Sequence, residues 1–180
     1  NLAESSDVPE YTEFVKDFAE KLKLKNFILT GHSFGGQIAG DFAIKYGQLV
    51  RRLVLIDAAI VRVRGRKTMI KIALAKIVKP LVSFFPTTVM NSLLKFYNSD
   101  YSAPNAYQKS VLNKILKYNL GFKLKEIKVP TNIVWGSEDK VIPYMGKYLV
   151  EGIPDAKLHV VYGAGHILNI THPQKLAATL

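Results

Sequence analysis

An α/β fold, a parallel sheet covered by helices and interrupted by a helical insertion, is the architecture this sequence predicts, and three observations predict it. Short apolar runs alternate with helical stretches at both ends of the chain. Those runs are nearly continuous in Val, Ile and Leu, as strands buried on both faces require. A glycine-rich turn, Gly31-His32-Ser33-Phe34-Gly35-Gly36, then joins one such run to a helix.

The elements follow in order. Asp7, Pro9 and Glu10 mark a helix start, because Asp7 can cap, Pro9 tolerates the first turn and Glu10 reaches back to the cap. Behind them Tyr11, Phe14, Val15, Phe18 and Leu22 recur at helical spacing and predict one apolar stripe. Asn26-Phe27-Ile28-Leu29-Thr30 reads as a strand, Gln37 to Tyr46 as a helix and Leu53-Val54-Leu55-Ile56 as a second strand. Asn132-Ile133-Val134-Trp135 and Leu158-His159-Val160-Val161 give two more strands, with helical material from Tyr144 to Glu151 between them.

The segment from Val61 to Lys125 breaks this rhythm. It shows no clear strand, and proline or polar interruptions at Lys79-Pro80, Phe85-Pro86 and Ser102-Ala103-Pro104-Asn105 divide it into helical stretches. The predicted organisation is core over 1–60, a helical cap over 61–125 and core again over 126–180. Met69, Ile70, Ala73, Leu74 and Ile77 share a helical face, which serves to pack on the main domain, to cover an acyl pocket or to touch a membrane surface. Phe84, Phe85, Phe96, Tyr97 and Tyr101 fit either an aromatic-lined pocket or ordinary cap packing.

Composition bounds the function classes. At 180 residues and 48% hydrophobic content the chain suffices for one domain with a substantial core. No apolar run reaches membrane-spanning length. Cysteine is absent, which excludes disulfides, thiolate metal sites and cysteine nucleophiles, favours a reducing compartment and makes a cytoplasmic location the expectation. The net charge of +11 is uneven: Val61 to Lys128 holds fourteen of the 25 Lys and Arg but only two of the 14 acids, Asp100 and Glu126. Such a segment forms a solvated lysine-rich surface or contacts an anionic partner, with peripheral membrane contact as the form considered. No nucleic-acid motif accompanies it, so no nucleic-acid partner is expected.

The chemistry centres on Ser33. A serine hydroxyl is a weak nucleophile at neutral pH and needs an exposed position, a base within hydrogen-bond reach and donors for the oxyanion that develops. A sharp strand-to-helix turn supplies exposure, and Gly31 and Gly35 are expected to keep the space beside it free of side chains. Of the four histidines, His166 is the candidate base, since it follows the last strand in Tyr162-Gly163-Ala164-Gly165-His166, on the sheet edge where ligands gather. His32 adjoins the serine and should turn away from its Oγ, leaving it to contact substrate or brace the turn. His159 reads as a sheet residue and His172 as a capping or surface residue.

Two acids compete to orient the base: Asp139, in Trp135-Gly136-Ser137-Glu138-Asp139, and Asp57, after Leu55-Ile56. Asp139 is preferred because its strand directly precedes that of the histidine, which leaves Asp57 a loop cap or a supporting role behind the site. Glu138 should face elsewhere.

The order Ser33, Asp139, His166, within Gly-His-Ser-Phe-Gly-Gly, Trp-Gly-Ser-Glu-Asp and Gly-Ala-Gly-His, resembles the α/β-hydrolase superfamily from about Ser5 onward, with the helical insertion matching its variable cap. The resemblance implies a Ser-His-Asp hydrolase acting on an ester or related acyl bond of a small-molecule substrate, without metal or organic cofactor. It also implies that the backbone N–H of Phe34 donates to the oxyanion. Acyl transfer, amide cleavage and C–C hydrolysis use the same triad, and a non-catalytic binding protein using the basic cap is the alternative of another class. Members of the superfamily also carry several strands before the nucleophile and a His-Gly loop supplying a second oxyanion donor, whereas one helix and one strand precede Ser33 here. The expectation is a C-terminal portion of a longer enzyme, with an unpaired apolar edge on the strand ending at Thr30. Loss of the second donor would lower the rate about 10² to 10³-fold.

Overall fold

The computed structural model describes residues 7–61 and 106–179. The apolar and aromatic cap positions named above between Met69 and Tyr101 lie outside the described residues. Within them run helix α1 (Val8–Lys21), strand β1 (Phe27–His32), helix α2 (Phe34–Tyr46), strand β2 (Val50–Ile56), helix α3 (Ala106–Lys117), strand β3 (Thr131–Gly136), helix α4 (Gly146–Gly152), strand β4 (Ala156–Val161) and two short helices, α5 (Leu168–Thr171) and α6 (Pro173–Ala177). Short 3-10 turns occupy Gly47–Leu49 and Gly121–Glu126.

All four strands are parallel and lie in the order β1-β2-β3-β4. Side chains alternate across β2 and β3, so the two faces fill separately. Leu53, Leu55, Ile133 and Trp135 pack with Phe42 of α2, Leu149 of α4, and Leu120 and Leu124 into the larger core. Val54, Ile56 and Val134 turn the other way and meet Val161, Ala164 and Leu168. Burial on both faces explains the unbroken apolar character of these strands and makes each fully buried side chain worth about 1.5–3 kcal/mol.

The outer strand β1 differs. Its pattern alternates, Ile28 is 39% exposed, and among the described residues it pairs only with β2.

Helix α1 starts where its sequence predicts. The Asp7 carboxylate accepts from the Glu10 N–H at 3.0 Å and the Glu10 carboxylate accepts from the Asp7 N–H at 3.2 Å, a complete capping box. Its buried face is not the predicted one. Phe14, Phe18 and Leu22 of the apolar stripe are each more than half exposed, and Val8, Thr12 and Ala19 are buried instead. These small residues, with Val15, repeat at four and three positions and allow close approach to α2, the helix against which α1 packs. Thr12 spares its hydroxyl a burial penalty by donating to Val8 O at 2.9 Å.

One polar cluster fixes α2 to the chain that leads into β3. Tyr118 donates its hydroxyl to the buried carboxylate of Asp41, which also pairs with Lys45 at 3.0 Å. Gln37 donates to Tyr118 O at 3.1 Å. Burial and the neighbouring carboxylate push the Tyr118 phenol well above its ordinary value, so it stays a donor. No helix among the described residues is long and apolar enough to cross a membrane.

Candidate active site

Each of the four strands delivers one titratable or nucleophilic side chain just beyond its carboxyl end: Ser33 after β1, Asp57 after β2, Asp139 after β3 and His166 after β4. This is the edge on which open parallel sheets collect ligands.

The turn at Ser33 is a strained one. Ser33 has φ 53° and ψ −119°, a combination that costs a residue with a side chain about 1–3 kcal/mol and persists only when its surroundings hold it. Three backbone bonds hold it: Ser33 N–H donates to Ile56 O at 3.0 Å, and Ser33 O accepts from the N–H groups of Gly36 and Ala59, both at 3.0 Å. The serine is thus tied to the end of β2 as well as to its own helix.

The glycines divide differently from the sequence expectation. A Cβ at Gly31 would overlap Gly35 O and come within 2.7 Å of the Ala39 Cβ, and one at Gly36 would overlap the Ala58 Cβ. A Cβ at Gly35 would meet nothing within 4 Å. Gly31 therefore serves the close passage as predicted, while Gly36 and not Gly35 is its partner, because the tight contact runs to the Ala58 loop after β2. Gly31→Ala is expected to destabilise the fold by about 1–3 kcal/mol. Gly35→Ala, in the first turn of α2, should be neutral or stabilising by up to about 1 kcal/mol. Chemical unfolding of the two variants side by side checks the contrast.

His166 bridges the serine and the acid. Its Nδ1 lies 2.9 Å from Asp139 Oδ2 and its Nε2 lies 3.0 Å from Ser33 Oγ. A carboxylate only accepts, so Nδ1 carries the ring proton and the lone pair of Nε2 faces the serine hydroxyl. The Asp139 side chain is 1% exposed, and its other oxygen accepts from the N–H groups of Val141 at 2.7 Å and Ile142 at 3.0 Å. Glu138, its neighbour, is exposed.

The loops carrying these two residues are laced together. Ser137 N–H donates to Val161 O at 3.1 Å, Glu138 N–H to Ala164 O at 2.8 Å, and Gly163 N–H to Ser137 Oγ at 3.0 Å. Gly136 makes this possible, because a Cβ there would come within 2.6 Å of Ala164 O. The pairing of β3 directly beside β4 is what brings Asp139, rather than Asp57, to the Nδ1 side of the ring.

The remaining histidines take three positions. The Nε2 of His32 lies 2.7 Å from His166 O, where it must donate to the carbonyl, and the two rings sit 4.8 Å apart. The sequence assigned His32 to substrate contact or to bracing the turn; this bond places it against the histidine loop. His159 lies in β4, and His172 stands at the start of α6 with its Nδ1 2.9 Å from Thr171 Oγ1.

Asp57 is the residue whose position sequence reasoning left least defined. It is 0% exposed and has φ 41°. Its Oδ1 accepts from Gly136 N–H at 2.8 Å, which ties the end of β2 to the start of the acid loop, whereas its Oδ2 is buried without a hydrogen-bond partner among the described residues. Burial pushes its carboxyl up to about 6; the Gly136 N–H and His166 work against that shift, and the charge of Asp139 adds to it. His32, Asp57 and His166 each present one atom within 4.8 Å of the others.

At the mouth of α2 the N–H of Phe34 opens the helix, where amide groups lack intrahelical partners and the helix dipole favours negative charge. A serine hydroxyl, an imidazole, a buried carboxylate and a backbone N–H therefore meet at one edge. Such a set can activate a hydroxyl for attack on a carbonyl.

The parallel sheet and the strand-to-helix turn at Ser33 define a fold class, the α/β-hydrolase fold. The alpha/beta hydrolase family model matches residues 2–179, and the chain belongs to that family. It is 26% identical over 188 residues to the 2-hydroxy-6-oxononadienedioate/2-hydroxy-6-oxononatrienedioate hydrolase of a Pseudomonas species, covering 92% of this chain and 65% of that protein. It is 28% identical over 192 residues to the human monoacylglycerol lipase ABHD6, covering 91% of this chain and 56% of that protein. Its backbone superposes with a TM-score of 0.67 and 22% identity on MGS-MChE2, an alpha/beta hydrolase enzyme from a lagoon-sediment metagenome, covering 99% of this chain and 72% of that one. The chain thus spans about 56–65% of the length of these two relatives.

Proposed function

We propose that this chain carries the active site of a serine hydrolase that cleaves a carboxylic ester or related acyl bond through an acyl-enzyme. The observation that carries the reading is the hydrogen-bonded line from Ser33 through His166 to Asp139. His166 Nε2 takes the Ser33 hydroxyl proton as Oγ attacks the substrate carbonyl, and the Phe34 N–H donates to the resulting oxyanion. Asp139 keeps the ring in the working tautomer and stabilises the imidazolium without taking the proton itself. His166 then returns the proton to the leaving alkoxide, and the acyl group stays on Ser33. Water, deprotonated by the same nitrogen, releases the acid and restores the serine. No step requires a metal or an organic cofactor.

Two of the family relatives named above, a lipase and a hydrolase, support catalysis over a pure binding role. A second reading, hydrolysis of a C–C bond beside a carbonyl, is favoured by the resemblance to the Pseudomonas enzyme and uses the same residues. Reaction of the natural full-length protein with a fluorophosphonate probe tests the shared core of both: one adduct per chain, on Ser33, is expected.

A further inference from the structure

We propose that Asp57 is a second acid of this site, a positioning residue that shares with Asp139 the task of holding His166 once the ring has taken the serine proton. The proposal rests on the reading of His166 as the general base and adds to it a group that the three-residue line does not use.

Placement comes first. Asp57 follows β2, the strand between the one that delivers Ser33 and the one that delivers Asp139, and one of its carboxylate oxygens lies within 4.8 Å of a ring nitrogen of His166. Asp139 touches the same ring at 2.9 Å. Two carboxylates therefore flank one imidazole, one by direct hydrogen bond and one through space within 4.8 Å.

The state of its oxygens comes second. A carboxylate serving only to tie β2 to β3 would need the Oδ1 bond to Gly136 N–H and nothing more, and an asparagine would make that bond without a buried charge. Asp57 instead keeps Oδ2 buried and unpartnered at 0% exposure, an arrangement that native folds retain chiefly where a polar group has work beyond packing. It does so at a positive φ that asparagine would tolerate at least as well.

The surroundings of Asp57 define when its charge is present. Facing it are His32 from the end of β1, the Gly136 N–H from β3, Asp139 from the loop after β3 and His166 from the loop after β4. Burial holds the Asp57 proton up to about pH 6, so the group is ionised at neutral pH and neutral in acid. Its charge is thus available across the range in which a histidine base works. The three side chains His32, Asp57 and His166 also have the composition of a metal cluster. Here, however, both ring nitrogens of His166 face Ser33 and Asp139, and the Nε2 of His32 is committed to His166 O. An electrostatic role leaves all of those bonds intact. The proton bookkeeping is unchanged by it: the Ser33 proton goes to His166 Nε2 and neither carboxylate accepts it.

The test compares the natural full-length protein with Asp57→Asn, Asp139→Asn and the double variant, reading the second-order rate of fluorophosphonate labelling at Ser33 from pH 5 to 9. Asp139→Asn is expected to slow labelling by about 10² to 10³-fold, and adding Asp57→Asn to slow it by about another tenfold or more, towards the roughly 10⁴-fold loss of a triad without its acid. Asp57→Asn alone should cost up to about tenfold and move the pH profile, since the charge beside the base is gone. Asp57→Ser repeats the comparison should the asparagine variant not fold. Equal labelling of Asp139→Asn and the double variant, with the Asp57 single variant following the parent pH profile, would overturn the proposal while leaving Ser33 as nucleophile. Absence of labelling in the parent protein would instead remove the hydrolase reading on which the proposal rests.

Discussion

Replacing His166 by alanine is expected to lower kcat on a p-nitrophenyl ester by about 10⁴ to 10⁶-fold with KM little changed. The size follows from the line of bonds at the site. Without the ring, no other side chain among the described residues is hydrogen-bonded to Ser33 Oγ to take its proton, and Asp139 reaches the serine only through that ring. Effects within such a unit are not additive, so a double variant lacking both Ser33 and His166 should be little worse than either single one. Folding should survive. Asp139 keeps the Val141 and Ile142 N–H groups on Oδ1, and the cost of an unpaired Oδ2 is about 1–3 kcal/mol. Steady-state kinetics together with circular dichroism check both halves, and a kcat loss below tenfold in a folded variant would contradict the role given to His166.

The second large effect concerns stability and runs opposite to activity. The Asp57 carboxyl is raised to about 6 from its ordinary 3.8 by burial. Between those values the folded chain keeps the proton that the unfolded chain has lost, so stability falls as pH rises and the full cost is present above about pH 6. At 1.36 kcal/mol per unit that cost is about 3 kcal/mol. Asp57→Asn removes the titration while leaving an oxygen for Gly136 N–H. The variant's stability relative to the parent should therefore improve by about 3 kcal/mol between pH 3.5 and pH 7.5. Urea unfolding at the two pH values measures it, and an unchanged difference would show that Asp57 is not held in its protonated form by burial. A site residue that weakens the fold at the pH where it carries its charge is the usual trade between stability and function.

How far the sequence discloses this molecule depends on how local each constraint is. The sharp turn at Ser33 was legible because the strand before it and the helix after it lie in one continuous stretch, so motif and context are read together. All four strands were legible from apolar runs, most plainly residues 53–56 of β2 and those of β3, where burial on both faces leaves no polar alternation to confuse them. Asp139 over Asp57 followed from strand succession, and the pairing of β3 with β4 puts Asp139 on the ring. What was not legible depends on neighbours distant in sequence. Whether Gly35 or Gly36 must lack a side chain is decided by Ala58, more than twenty positions away. Which face of α1 is buried is decided by α2, which takes the small row of Val8, Thr12 and Ala19 and leaves the bulkier Phe14 and Phe18 exposed. The bond from His32 to His166 O and the unpartnered oxygen of Asp57 likewise appear only once four strand ends converge.

The central claim is that Ser33 is the nucleophile of a hydrolase, and the measurement closest to it is mass spectrometric mapping of the fluorophosphonate adduct on the folded, natural full-length protein. The account predicts one phosphonyl group per chain, on the peptide containing Gly31-His32-Ser33-Phe34-Gly35-Gly36, and none in Ser33→Ala. An unmodified Ser33 in the folded protein, or modification that persists in Ser33→Ala, would contradict it.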